Sequence, residues 1–415
     1  LTKKLGIFEG RDRPKFILCL GFTESGAVVS GDSNGALCVW STSQGKVIKQ
    51  IPKAHDGGIF SLCTIQGGKL LSGGGRDRRI VEWDSDLNAT GREAELPALA
   101  GPVRHLTPGK GNLVIVGTTH NSILEGSVHL KNFAFVMQGH TEELWGLTTH
   151  PTLSQFLTCG YDKTLRFWDA GSHSLVWIKE LSDSLQCCSV HPSGQVVAVG
   201  TSVGKWFVLD MNSRSIIVAQ TDCNHIISAI VFSPDGELLA VGSHDCSIYV
   251  YQVSADARKY ARIGRCLGHS SLITHIDWSS DSQFLRSNSG DNDILFWNAK
   301  NCKPITLADS VRDVSWDTDH CTLSFNVAGV WPECTDGADV TAVDRSFDGT
   351  LLASADDCGM VKLFRYPCPQ PKSACHIYSG HSSQVANVQF LPNNARIVSI
   401  GSKDAAVFQW TVTDD

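Results

Sequence analysis

No stretch of this sequence stays apolar for the ~18 residues that a bilayer span requires, and its first ten residues lack the apolar core of a signal peptide. A soluble, intracellular protein is expected. A basic excess is missing as well: the formal charge is -7 and the pI is near 6.1. Nonspecific attraction to a nucleic acid backbone or an anionic membrane is therefore not expected. The 15 cysteines include no CxxC pair. The nearest pairings, Cys187 with Cys188 and Cys368 with Cys375, lack a second half with two further ligands. Thiols in a reducing compartment, with no metal and no cofactor, follow. Methionine is scarce, at 3 residues, whereas glycine numbers 38 and Ser, Thr and Asp are common. Turn formers of this kind break up the long helical stretches a bundle needs, so the chain reads as all-β.

What is present is a repeat. Four segments open with a small residue and His, at His55, His140, His269 and His381. Each runs through an apolar stretch, a turn and a second apolar stretch to an Asp and then a Trp. The pairs are Asp77 and Trp83, Asp162 and Trp168, Asp291 and Trp297, Asp404 and Trp410. His precedes Asp by 22, 22, 22 and 23 residues, and Asp precedes Trp by 6 in all four. Weaker copies start near Asp32, Val190, Phe232 and Arg345. The tetrapeptides "HPSG", "SPDG" and "SFDG" read as hairpin turns whose glycine supplies a positive φ. Units begin near Ile17, Ile59, Val103, Leu144, Cys187, Ile227, Ile273, Val311, Val340 and Val385. Most are 38 to 46 residues apart, the length of a four-stranded WD40 blade. The fold class is all-β, a WD40 β-propeller. The unit at 311–339 is short and predicts a degenerate blade with fewer strands.

Ten units exceed the ~4 to 8 blades of one ring. Too few residues follow Trp410 for an outer strand, so that strand must come from elsewhere. "FAFVMQ" (133–138), just ahead of Gly139 and His140, is the expected donor. Residues 133–415 then form a seven-bladed ring, and residues 1–132 the last three blades of a preceding propeller. Three blades cannot close without exposing strand edges, so a longer chain is expected to supply the rest.

His with Asp is half of many hydrolytic sites, yet here the pair recurs blade after blade. With the hydroxyls Ser72, Thr158, Ser287 and Ser399 and the four Trp residues it predicts a buried structural network. In it Asp accepts from imidazole, imidazole meets hydroxyl and hydroxyl meets indole. No GxSxG, HExxH or GxxxxGK[ST] is present. "GKGNLVIVG" precedes a strand, and "GGGRDRR" (73–79) reads as a turn. No catalytic residue is assigned, and the chain is not expected to be an enzyme. Propellers recruit partners through loops at one end of the ring. The residues before each network Asp, Arg76, Tyr161, His244 and Lys403, are candidate contacts, with Trp145 and Trp331 as candidate aromatic anchors.

"RDVSWDTDHCTLSFNVAGVWPECTDGADVTAV", "GHTEELWGL", "SGHSSQVANVQF", "LGHSSLITHIDWS" and "GIFEGRDRPKFILCL" resemble echinoderm microtubule-associated-protein-like proteins. Ala328, Cys334 and Ala338 depart from the usual residues of that pattern. The resemblance implies a tandem propeller that binds tubulin, contributes to microtubule organisation, and lies in the cytoplasm on microtubules or the spindle. It also implies an upstream coiled coil as the source of oligomerisation; the charge balance gives no nucleic acid or membrane partner. A generic WD40 adaptor for signalling or ubiquitin-pathway partners is the alternative.

Overall fold

A computed structural model of the chain describes residues 15–24, 26–41, 43, 45–331, 338–371 and 373–413. Cys334 and most of "GIFEGRDRPKF" lie outside the described residues. The described residues form nine antiparallel sheets, eight of four strands and one of three. Each is a meander in which consecutive strands pair, the arrangement that short connections favour. The strands alternate or run fully buried, as Val196–Thr201 and Leu238–Ser243 do. Gly194, Gly236 and Gly349 take φ of 71°, 74° and 66° in the "HPSG", "SPDG" and "SFDG" turns, a region where a Cβ is strained.

The chain divides into two compact units, Leu1–Gly139 and His140–Asp415. In the first, three neighbouring sheets have inner strands Ile17–Phe22, Ile59–Ile65 and Val103–Pro108. The third sheet ends with Ala134–Gln138, which pairs antiparallel with Ser122–Gly126, Ser122 facing Gln138 and Glu125 facing Ala134. This corrects the expected donation of 133–138 to the last sheet. The physical reason is local. The tight turn after Gly126, held by Lys131 N–H to Ser127 O at 2.8 Å and by Ser127 N–H to the Asn132 side chain at 3.0 Å, folds the strand straight back onto its neighbour.

The second unit contains six sheets, with inner strands Leu144–Thr149, Leu185–Val190, Ile227–Phe232, Ile273–Trp278, Val340–Arg345 and Val385–Phe390. The last sheet has three strands, ending in Val407–Thr411. Its closure onto the first sheet uses side chains and loops. The Leu144 amide donates to Ser402 O at 2.9 Å and the Thr149 amide to Gln389 Oε1 at 2.9 Å. Leu144, Leu147 and Phe156 share an apolar cluster with Leu391, Val398 and Ile400. Between Pro304 and Val340 the degenerate unit has 3-10 turns at Ala308–Val311 and Phe325–Val330 and a single bridge, from Trp316 back to Ser279. No strand of a named sheet lies in its described part, so "fewer strands" becomes none beyond that bridge.

All nine inner strands carry the same irregularity after their first residue. Ile59 faces Gly74 but Ser61 faces Gly73, and Leu144 faces Gly160 but Gly146 faces Cys159. One residue, here Phe60 or Trp145, stands outside the ladder, a bulge that re-aims its side chain. It recurs at Leu18, Arg104, Gln186, Ser228, Thr274, Thr341 and Ala386.

Candidate functional site

The repeated side chains meet inside the blades. His55 Nδ1 lies 3.0 Å from Asp77 Oδ2 and its Nε2 2.7 Å from Ser72 Oγ, to which Trp83 Nε1 donates at 2.8 Å. The second set repeats this: His140 to Asp162 at 2.8 Å, His140 to Thr158 at 2.8 Å, and Trp168 to Thr158 at 2.7 Å. So does the last: His381 to Asp404 at 3.1 Å, His381 to Ser399 at 2.8 Å, and Trp410 to Ser399 at 2.8 Å. Each hydroxyl is engaged by both a ring nitrogen and an indole N–H, and the imidazoles are buried. Burial pushes the His140 and His381 pKa values down, against the opposing pull of their Asp partners, so both rings are neutral near pH 7. Burial would raise the Asp77 and Asp162 pKa values, but the hydrogen bonds from His55 and His140 and from nearby amides outweigh it and lower them.

The third set is open at one end. His269 reaches Ser287 at 2.8 Å and Trp297 donates to Ser287 at 2.9 Å, but Asp291 is 4.0 Å from His269 Nδ1, too far for a hydrogen bond. The expected Asp-to-imidazole contact is absent, and His269 Nδ1 has no partner among the described residues. The cause is one position. Two residues after the hydroxyl the other sets carry Gly74, Gly160 and Gly401, and this one carries Ser289. A Cβ at Gly74 or Gly401 would lie 1.9 or 2.0 Å from the Asp oxygen and 2.5 Å from His Nδ1. Ser289 places a Cβ and a hydroxyl there, and the hydroxyl donates to Asp291 Oδ1 while Ser270 Oγ donates to Oδ2 at 2.6 Å. Asp291 is drawn off the ring.

Blades without this set use other solutions that the repeat did not reveal. Trp206 donates to Asp222 at 2.8 Å, and Tyr251 OH donates to the other Asp222 oxygen. The strandless segment is fastened by buried charge. Arg286 binds Asp277 at 2.9 Å and Asp319 at 2.6 Å, and Arg345 Nη1 and the Tyr366 hydroxyl donate to Asp319 at 3.1 and 2.8 Å. Thr318 Oγ1, the His320 amide and the Cys321 amide all donate to Asp277. Trp316 lies under the Arg286 guanidinium, 4.6 Å from its centre. His320 Nε2 meets Asp344 at 3.1 Å. Burial opposes its charge, but Asp344, Asp277 and Asp319 together raise its pKa to about 9. Neighbouring His275 is pushed down to about 4, by burial first and then by the His320 charge.

Six inner strands and the strandless segment surround a channel of about 850 Å³ in the second unit. Of the candidate contacts, Trp145, His244 and Trp331 line it, and Tyr161 lies against Trp145 with ring centroids 6.0 Å apart. Trp331 is held by a 2.7 Å bond from its indole to Thr322 O. Lys403 is exposed and outside the channel lining, and Arg76 is exposed in the first unit. The structure therefore gathers three of the six around one opening, with Tyr161 adjoining. The 14 described cysteines are free thiols.

Comparison with known proteins places this geometry in a lineage. A family model described as the echinoderm microtubule-associated protein second beta-propeller matches residues 144–412, and the model of the first beta-propeller matches residues 1–126. Echinoderm microtubule-associated protein-like 2 of Rattus norvegicus is 50% identical over 99% of this chain, which covers 63% of that relative. The like 1 protein of the same organism is 48% identical, with 50% of its length covered. The 77 kDa echinoderm microtubule-associated protein of Strongylocentrotus purpuratus is 47% identical, with 60% covered. A chain of the solved mitotic checkpoint complex superposes with a TM-score of 0.53 at 18% identity, over 65% of this chain and 87% of that one, a likeness of fold alone. The chain belongs to the echinoderm microtubule-associated-protein-like family.

Proposed function

We propose that this chain is the propeller part of a non-catalytic, microtubule-associated protein that binds tubulin and contributes to microtubule organisation in the cytoplasm and on the spindle. The observation that carries the reading is that family models for both propellers match along the chain, beside 50% identity to a microtubule-associated protein-like relative. The chemistry of the blades supports the non-catalytic part. Each hydroxyl of the closed networks is already held by a ring nitrogen and an indole, and the set recurs, whereas a catalytic constellation occurs once. Candidate contacts are Arg76, Tyr161, His244, Lys403, Trp145 and Trp331. Oligomerisation through a coiled coil is assigned to the part of the relatives' length that this chain does not span.

The test is gel filtration of the full-length protein with αβ-tubulin. Co-elution at micromolar tubulin is expected, weakened by Tyr161→Ala or Lys403→Ala with an unchanged melting temperature. Tubulin at background in a pull-down dominated by signalling or ubiquitin-pathway proteins would instead identify a generic adaptor.

A further inference from the structure

The residue that stands outside the ladder of each inner strand differs sharply between the two units. In His140–Asp415 those residues carry no charge, being Trp145, Gln186, Ser228, Thr274, Thr341 and Ala386. In Leu1–Gly139 they are Leu18, Phe60 and Arg104. The Arg104 guanidinium lies over the Phe60 ring, 4.7 Å from its centre. The same ring abuts Gly75, where an added Cβ would come within 2.5 Å of Phe60 Cε2. Gly75 is tied by its amide to Gly58 O at 2.8 Å, and the next residue is Arg76, whose stem covers Gly57.

The other described arginines of this unit are neutralised. Arg78 pairs with Glu95 at 2.7 Å, Arg79 with Glu93, and Arg92 with Glu82 at 3.6 Å. Arg76 and Arg104 are exposed and have no carboxylate partner among the described residues. The balance of the whole unit points the same way: Leu1–Gly139 holds 16 Lys and Arg against 12 Asp and Glu, and His140–Asp415 holds 19 against 30.

We infer that this end of the N-terminal unit binds a short acidic peptide segment. Guanidinium forks match carboxylates, so Arg76 and Arg104 take two acidic side chains while Phe60 and Leu18 give footing to an apolar side chain between them. A dense polyanion is the poorer fit. Asp56 and Asp77 stand beside Arg76, joined by the Asp56 amide to Asp77 Oδ2 at 3.0 Å, and the chain as a whole carries -7. The site does not depend on tubulin being the partner, since any extended carboxylate-bearing segment meets the same groups.

Fluorescence anisotropy of the full-length protein with a labelled oligoglutamate peptide carrying central leucines tests it. Saturable binding that weakens with salt is expected. Arg104→Glu and Arg76→Glu should each weaken it about ten-fold or more, as loss of a charge-assisted hydrogen bond does. Phe60→Ala should weaken it about three-fold, and Arg78→Glu, whose guanidinium is already tied to Glu95, should leave it unchanged. If Arg104→Glu lowers the melting temperature, Arg104→Gln, which keeps a stem over the ring, reads the same loss. Equal affinity in the Arg76→Glu, Arg104→Glu double variant overturns the site, as does an oligonucleotide of equal charge that displaces the peptide. Loss of tubulin co-elution with peptide binding intact would count against the tubulin proposal alone.

Discussion

The blades with a His, Asp, hydroxyl and Trp set and the strandless segment after Pro304 solve the same problem, fixing one position of a ring, with opposite electrostatics. In the closed sets an imidazole sits between an Asp and a hydroxyl, neutral at His140 beside the ionised Asp162, and the sheet ladder carries the rest. In the strandless segment there is almost no ladder, and Arg286, Arg345 and His320 are set against Asp277, Asp319 and Asp344. Hydrogen-bonded strands tolerate the loss of one polar contact. A segment fastened by buried ions does not, because removing one partner leaves a charge desolvated and unpaired.

The largest expected effect follows from that contrast. Asp319→Ala leaves Arg345 without its ion-pair partner and Arg286 with Asp277 alone, and should destabilise the C-terminal propeller by about 3 to 5 kcal/mol, read from its urea midpoint. Asp162→Ala, in a laddered blade, should cost about 1 to 3 kcal/mol. An equal loss for the two would erase the distinction drawn here. pH separates the regions by sign. His140 and His381 have depressed values, so their contribution is complete above about 6.5, the free imidazole value, and is lost as pH falls. His320, raised to about 9, contributes fully below about 6.5 and loses its contribution as pH rises through about 9. A melting temperature that declines on both sides of neutrality is expected, with His320→Gln flattening the alkaline side and His140→Gln the acid side. If His320→Gln left the alkaline slope intact, that ring would not be the group responsible. The smallest effect concerns the open set. Ser289→Gly should bring Asp291 back to His269, seen as a downfield ring N–H proton, while stability moves by less than about 1 kcal/mol because glycine adds chain entropy. An unshifted resonance would show that Ser289 is not what holds the pair apart.

Legibility in the sequence tracked repetition. His55, Ser72, Asp77 and Trp83 recur at fixed spacing, and their meeting could be anticipated because one local geometry is reused. Even the open set was marked, since Ser289 stands where Gly74, Gly160 and Gly401 do. The Asp277, Arg286, Asp319 and Arg345 cluster has no period and joins stretches far apart in the chain, so no spacing announced it. The strand at 133–138 was read through what the last sheet lacks, when its pairing was decided by the turn between Gly126 and Ala134. The bulge residues Phe60 and Arg104 were hidden for a different reason: a one-residue register slip leaves the apolar alternation around it almost unchanged.

A wheel of identical spokes would look the same to a partner after each step of rotation. The segment between Pro304 and Val340 breaks that equivalence, since there the wall of the channel is made not of an inner strand but of loop residues, Thr322 and Leu323, with Trp331 and the charged imidazole of His320. It acts as a keyway, so a protein seated on this opening has one azimuth to find, and the asymmetry of a single spoke sets the orientation of whatever docks there.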